Sequence, residues 1–317
     1  MRCSASVVLI AFVMRKVSWS ELGLVLGRLD PAWALPAACL VPLGITALAF
    51  RWRIFLRQQG IQLPFGTVFS LTWAGQFFNT VLPGSTGGDV VKVYQLCRLA
   101  PDRKAAVAAT VVVDRFIALV ALLCLVVVAL AIDPVPLQMI KEYRNSLSSI
   151  LWAVVVAAAA AALSAWILFR YLQSTHWLGR VQRTLAALRN NLVFNANLCA
   201  AMGMSFGIHC LGFFMTFLFA RSLNINITYF QVLLIFPVVM LLVMLPVTVN
   251  GHGLREIILI FYFNHLRIGL AGGASIGVRE TVVALSVVCV TNDLLWNLPG
   301  GLWYLLRFKQ RKMEKVA

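Results

Sequence analysis

The chain has 317 residues, 61% of them hydrophobic and only 12% charged, with a mean hydropathy of +0.88. Soluble domains run at about 45–50% apolar and about 25% charged, so a soluble enzyme or binding module is excluded. The net charge of +16 fits the positive-inside bias of cytoplasmic loops and contact with anionic headgroups; no nucleic-acid motif accompanies it.

Residues 1–16 (MRCSASVVLIAFVMRK) hold a short apolar run with no clean cleavage site after it, which reads as an uncleaved first helix. Residues 18–30 read as an amphipathic interfacial helix, with Trp19, Leu22, Leu26 and Leu29 on one side. A span over 32–50 follows, closed by Arg51, Trp52, Arg53 and Arg57, a basic-aromatic end that marks the cytoplasmic face. Trp33, Trp73, Trp152, Trp177, Trp296 and Trp303 mostly read, like Trp52, as interfacial anchors.

Residues 65–91 are apolar but flanked by basic loops on both sides, so they read as a re-entrant hairpin entering from the cytoplasm. Spans are expected over 105–132, 147–169 and 198–220, with a basic cytoplasmic loop at 170–191. Residues 229–264 read as a second re-entrant hairpin, entering from outside. The last span, 286–306, leads to a basic tail placed in the cytoplasm. The fold class is therefore all-α, a single polytopic domain over 1–317 with about 6–8 membrane helices and two broken hairpins.

Two interruptions organise the whole. Residues 79–92 (NTVLPGSTGGDVVK) and 245–256 (LPVTVNGHGLRE) each combine Leu-Pro, a Gly-rich turn and a carboxylate inside apolar surroundings. Backbone broken in this way cannot face lipid, because its N–H and C=O groups would go unpaired; it must be buried in protein or line a polar cavity. The Asp114-Arg115 pair follows the first break, and Arg279-Glu280 follows the second at nearly the same separation. Residues 60–69 (GIQLPFGTVF) parallel 224–233 (NINITYFQVL). The halves 31–146 and 192–306 thus read as an inverted repeat, with a substrate site at the two breaks.

Ionisable groups within a membrane segment cost about 2.5–3.5 kcal/mol each on insertion scales, so they pair or face a cavity. The candidate substrate-binding residues are Asn79, Pro83, Gly87, Gly88, Asp89, Asp114, Arg115, Asn250, Gly251, Gly253, Arg255, Glu256, Arg279 and Glu280. Asp293 is a further membrane carboxylate. Arginines could clamp a phosphate in bidentate fashion, and glycines would allow the turn and close headgroup approach. The plainer reading is that Asp114-Arg115 and Arg279-Glu280 only staple helices together, and that Asn79 and Asn250 only cap half-helices. His209 and Cys210 are adjacent on a helix and point apart. The seven cysteines are scattered without a C-x-x-C pair, so no metal site, disulfide framework or cofactor is expected.

The succession NTVLPGSTGGDVVKVYQL, VVDRFIALVALL and LPVTVNGHGLREIILIFYF is similar to the lysylphosphatidylglycerol synthase transmembrane-region family, also described as flippase-like membrane proteins. The resemblance runs from about Trp33 to Tyr304. The family's Leu-Pro-x-Arg-x-Gly-Glu pattern departs here to an Asp, with Ser85 and Thr86 in the region of its missing Arg. The resemblance implies the membrane half without an aminoacyltransferase domain. It implies a bacterial inner-membrane protein that moves a phospholipid or lipid-linked sugar between leaflets, with a lipid-synthesis enzyme as a conceivable partner. An integral-membrane transferase, with Asp89 or Glu256 as base, and a non-transporting membrane partner are the other classes open at this point.

Overall fold

A computed structural model describes residues 18–81, 87–132, 195–244, 253–269 and 277–313. The expected first helix at 1–16, the returning helix at 147–169 and the loop 170–191 lie outside the described residues. Every regular element described is helical, as the composition requires. Among the described residues, four helices are long and apolar enough to cross a membrane.

Helix α1 (Trp19–Gly27) starts at Ser18, whose Oγ accepts from the Glu21 N–H at 3.4 Å. It buries Leu22 and Val25 and leaves Trp19 exposed. Helix α2 (Pro31–Gln58) opens on a strong signal: Asp30 Oδ1 accepts from Ala32 N–H at 2.9 Å, and Pro31 occupies the first turn, where its missing N–H goes unfelt. The helix runs eight residues past the expected end at Phe50, so Arg51 lies inside it rather than at a membrane boundary.

The first break separates α3 (Phe65–Val81) from α4 (Gly87–Leu99), and a single 3-10 turn at Pro101–Arg103 leads into α5 (Lys104–Ile132). Beyond the undescribed middle lies α6 (Ala196–Ser222), capped by Asn195 Oδ1 on the Leu198 N–H at 2.9 Å. The second break separates α7 (Tyr229–Met244) from α8 (Leu254–His265), and α9 (Val278–Met313) closes the chain. Both halves therefore run long helix, short helix, break, short helix, long helix.

Packing repeats this order. The leading helices α2 and α6 lie against each other; α3 packs on α9 while α7 packs on α5; α2 also touches α9 as α6 touches α5. Each of these contacts between the halves has a counterpart with the roles exchanged. Between helices in lipid, packing and hydrogen bonds hold the interface, so small residues matter where backbones meet. Gly300 and Gly301 of α9 sit against Trp73 and Phe77 of α3, where any Cβ would collide. Trp73 Nε1 donates to the Trp296 carbonyl at 2.8 Å, and Asn297 Nδ2 donates to Thr80 Oγ1 at 3.0 Å.

One expected interfacial anchor, Trp52, is instead internal, and Trp73 is half-buried. Trp52 is 1% exposed and donates to Thr110 Oγ1 at 3.2 Å, and Trp73 carries the α3–α9 hydrogen bond just described. A buried indole N–H needs an acceptor, and here helices supply it. Trp33 remains outward-facing, with the Arg221 guanidinium 5.8 Å from its ring centroid.

Candidate functional site

At the first break, α3 and α4 form a tight hairpin. Asn79 Oδ1 accepts the Gly88 N–H at 2.8 Å, which ties the start of α4 to the end of α3. Residue 88 has to be Gly: a Cβ there would run into the Gly75 carbonyl of α3. Asn79 thus caps the half-helix, as the plainer reading had it. Pro83 lies outside the described residues; Gly87 opens α4.

The hairpin presents Asp89 to α5. Its two oxygens accept from Arg115 Nε at 2.6 Å and Nη2 at 2.9 Å. The neighbouring Asp114 points elsewhere, because successive residues of a helix are about 100° apart. Its oxygens accept from Arg51 Nε at 2.8 Å and Nη2 at 3.1 Å, while Arg51 Nη1 donates to Ser205 Oγ of α6 at 2.9 Å. Asp114 and Arg115 are therefore not a pair with each other. They are halves of two cross-helix pairs that tie α5 to α4, α2 and α6.

Arg51 was not among the expected site residues, and neither was Lys92. Arg51 is 3% exposed; its place in the run RWRIFLR resembles a membrane boundary, which hid it. The signal available was periodic: Arg51 falls one turn before Phe55, which is fully buried. Lys92 read as the first residue of a basic loop, yet it is 6% exposed in the body of α4. Its stem lies against Gly75, and its Nζ is 5.3 Å from the Trp52 ring centroid, a cation–π contact. Asp114 and Asp89 are the negative charges acting on it, and both are already held by arginines. Arg51, Lys92 and Arg115 thus face Asp89 and Asp114, leaving one positive charge in excess.

The second break is built locally. Asn250 and Gly251 lie outside the described residues. Gly253 takes the left-handed φ of +85°, which suits a residue without Cβ at the entry to α8. Its N–H donates to Glu256 Oε2 at 2.6 Å, so that carboxylate closes the first turn. Glu256 Oε1 accepts from Arg255 Nε at 3.3 Å and Nη2 at 3.2 Å. Arg255 Nη2 also reaches the Ser286 carbonyl of α9 at 3.5 Å, and its charge acts on Asp293.

Arg279 and Glu280 belong to a third place. Glu280 Oε1 accepts the Ser18 N–H at 3.1 Å, and Glu21 Oε2 accepts the Gly277 N–H at 3.4 Å. These bonds stitch the start of α9 to α1. His209 Nε2 contacts the Ala118 carbonyl at 3.0 Å, and the Cys210 carbonyl accepts from Tyr229 OH at 3.1 Å. Among the described residues no group of three or more His, Cys, Asp or Glu side chains converges as a metal site would require.

Residues 1–289 match the family described as lysylphosphatidylglycerol synthase TM region. The chain is also similar to UPF0104 membrane protein PH1989 of Pyrococcus horikoshii, with 24% identity over 310 residues, covering 90% of this chain and 89% of that protein. The broken hairpins, the four long apolar helices and this match agree: the chain is a polytopic membrane protein and belongs to the lysylphosphatidylglycerol synthase TM region family.

Proposed function

We propose that the protein is a lipid translocase that moves a phosphate-bearing headgroup, of a phospholipid or a lipid-linked sugar, between leaflets through a polar chamber at the two breaks. One observation carries the reading: Lys92 is a buried cation beside broken backbone, with both neighbouring carboxylates already bound by arginines. An isolated buried charge is costly, and a lipid phosphate entering the site would supply the missing counter-charge. The headgroup would sit inside while the acyl chains stay in the bilayer. The same helix order in both halves, and their reciprocal packing, support an inverted repeat of the kind that alternates access around a central site.

A transferase would need a base free to take a proton. Asp89 and Asp114 are each engaged by a bidentate arginine, and Glu256 is occupied by Gly253 and Arg255. This favours translocation over chemistry. The C-terminal tail, bacterial inner-membrane placement and a lipid-synthesis partner belong to the same proposal.

The test is leaflet accessibility of headgroup-labelled lipids in liposomes, with anionic, aminoacylated and polyprenyl-linked species compared. Acceleration of phosphate-bearing lipids by wild-type protein, lost in Lys92→Met, supports the reading. Acceleration that survives Lys92→Met removes Lys92 from the site, and no movement of any lipid by folded protein overturns the function.

A further inference from the structure

Helix α9 has two unlike faces. At about 100° per residue, Ser286, Asp293, Asn297 and Tyr304 fall within about 40° of one line along the helix. Val287, Leu294, Leu295, Leu298 and Leu302 lie on the other side and are exposed, as a lipid-facing surface would be. The polar line touches both breaks. Beside the second, the Ser286 carbonyl accepts from Arg255, whose charge also acts on Asp293. Beside the first, Asn297 bonds Thr80, two residues before the break begins. At 1.5 Å per residue, Ser286 to Asn297 covers about 16 Å, roughly half the ~30 Å hydrocarbon core.

A second, independent feature points to a ligand. Asn297 is 7% exposed, and its Oδ1 has no hydrogen-bond partner among the described residues although its Nδ2 is satisfied by Thr80. Buried acceptors are normally paired. Asp293, one turn away, adds carboxylate oxygens on the same line.

We infer that this segment of α9 is the middle of the headgroup's route, a subsite that hands the headgroup from one break to the other. The inference rests on the translocation reading above. Its chemistry is that of acceptors: Asn297 Oδ1 and Asp293 take hydroxyl or ammonium hydrogens of the headgroup while the phosphate is held by cations at the breaks. A headgroup without such hydrogens, such as choline, is the poorer substrate.

The experiment has two arms. In a cysteine-free protein in liposomes, single cysteines at 286, 293 and 297 should react with a charged methanethiosulfonate reagent, and those at 287, 294 and 298 should not. In the lipid assay, Asn297→Leu should slow glycerol- and ethanolamine-headed lipids by about tenfold, a loss of about 1.4 kcal/mol in transition-state stabilisation. Thr80→Val removes the same α3–α9 hydrogen bond but spares Asn297 Oδ1, so it should stay within about twofold of wild type. Equal thiol reactivity on both faces overturns the inference, as does a Thr80→Val variant slowed as much as Asn297→Leu. A wild type that moves lipid while Asn297→Leu is unaffected sinks this inference alone. A wild type that moves none sinks the translocation reading, and this one with it.

Discussion

The two breaks share an outline in sequence but are stabilised in different ways. At the first, charges pair across helices: Asp114 with Arg51, 63 residues away, and Asp89 with Arg115, 26 residues away. At the second, they pair with neighbours: Arg255 with Glu256, and Glu256 with Gly253 three residues back. The first break is therefore a tertiary object that exists only when α2, α4, α5 and α6 are together. The second is largely a helix start that makes its own cap. The difference also places the surplus cation: Lys92 belongs to the first break, whereas at the second Arg255 faces the adjacent Glu256 and, on α9, Asp293.

This contrast can be broken most severely at Arg51. Arg51→Leu leaves Asp114 buried and unpaired, with an expected loss of about 3–5 kcal/mol. The check is thermal unfolding in detergent, where the Arg51→Leu, Asp114→Leu double variant should recover most of the loss. Gly88→Ala comes next. A Cβ against the Gly75 carbonyl has to part α3 from α4, at about 1–3 kcal/mol, with loss of lipid movement in the same protein.

Lys92→Met should separate stability from activity. Replacing a buried cation with an apolar chain of similar length leaves the melting temperature equal or higher. Lipid movement falls by about tenfold or more, an effect of about 1.4 kcal/mol on the transport barrier. The smallest effect is expected at the second break. Glu256→Gln keeps an acceptor for the Gly253 N–H but loses the charge facing Arg255, and should cost about 1 kcal/mol or less in the same unfolding assay. A cost at Glu256 as large as that at Arg51 would erase the distinction between the two breaks.

The local features of the second break were readable in advance. Gly253 ahead of a helix and Glu256 three residues on is a start signal written within four residues. The hairpins, the glycines and the helix order were legible for the same reason, since each depends on neighbours in the chain. Arg51, Trp52 and Lys92 were misread because each sits in a run whose composition matches a membrane boundary or a basic loop. Their side chains are internal only because another helix lies across them: α5 and α6 over Arg51, α3 against Lys92.

Composition and periodicity alone determined that this is an all-α membrane protein with two broken hairpins, because apolar length and helix-breaking residues act locally. The tertiary structure decided which charges meet. Asp114 and Arg115 are bonded neighbours that the helical turn points in different directions, and only the packing of α2, α4 and α6 around α5 sets their partners. It also decided that one buried lysine would be left over, since an excess charge is a property of the assembled cluster and of no single stretch of chain.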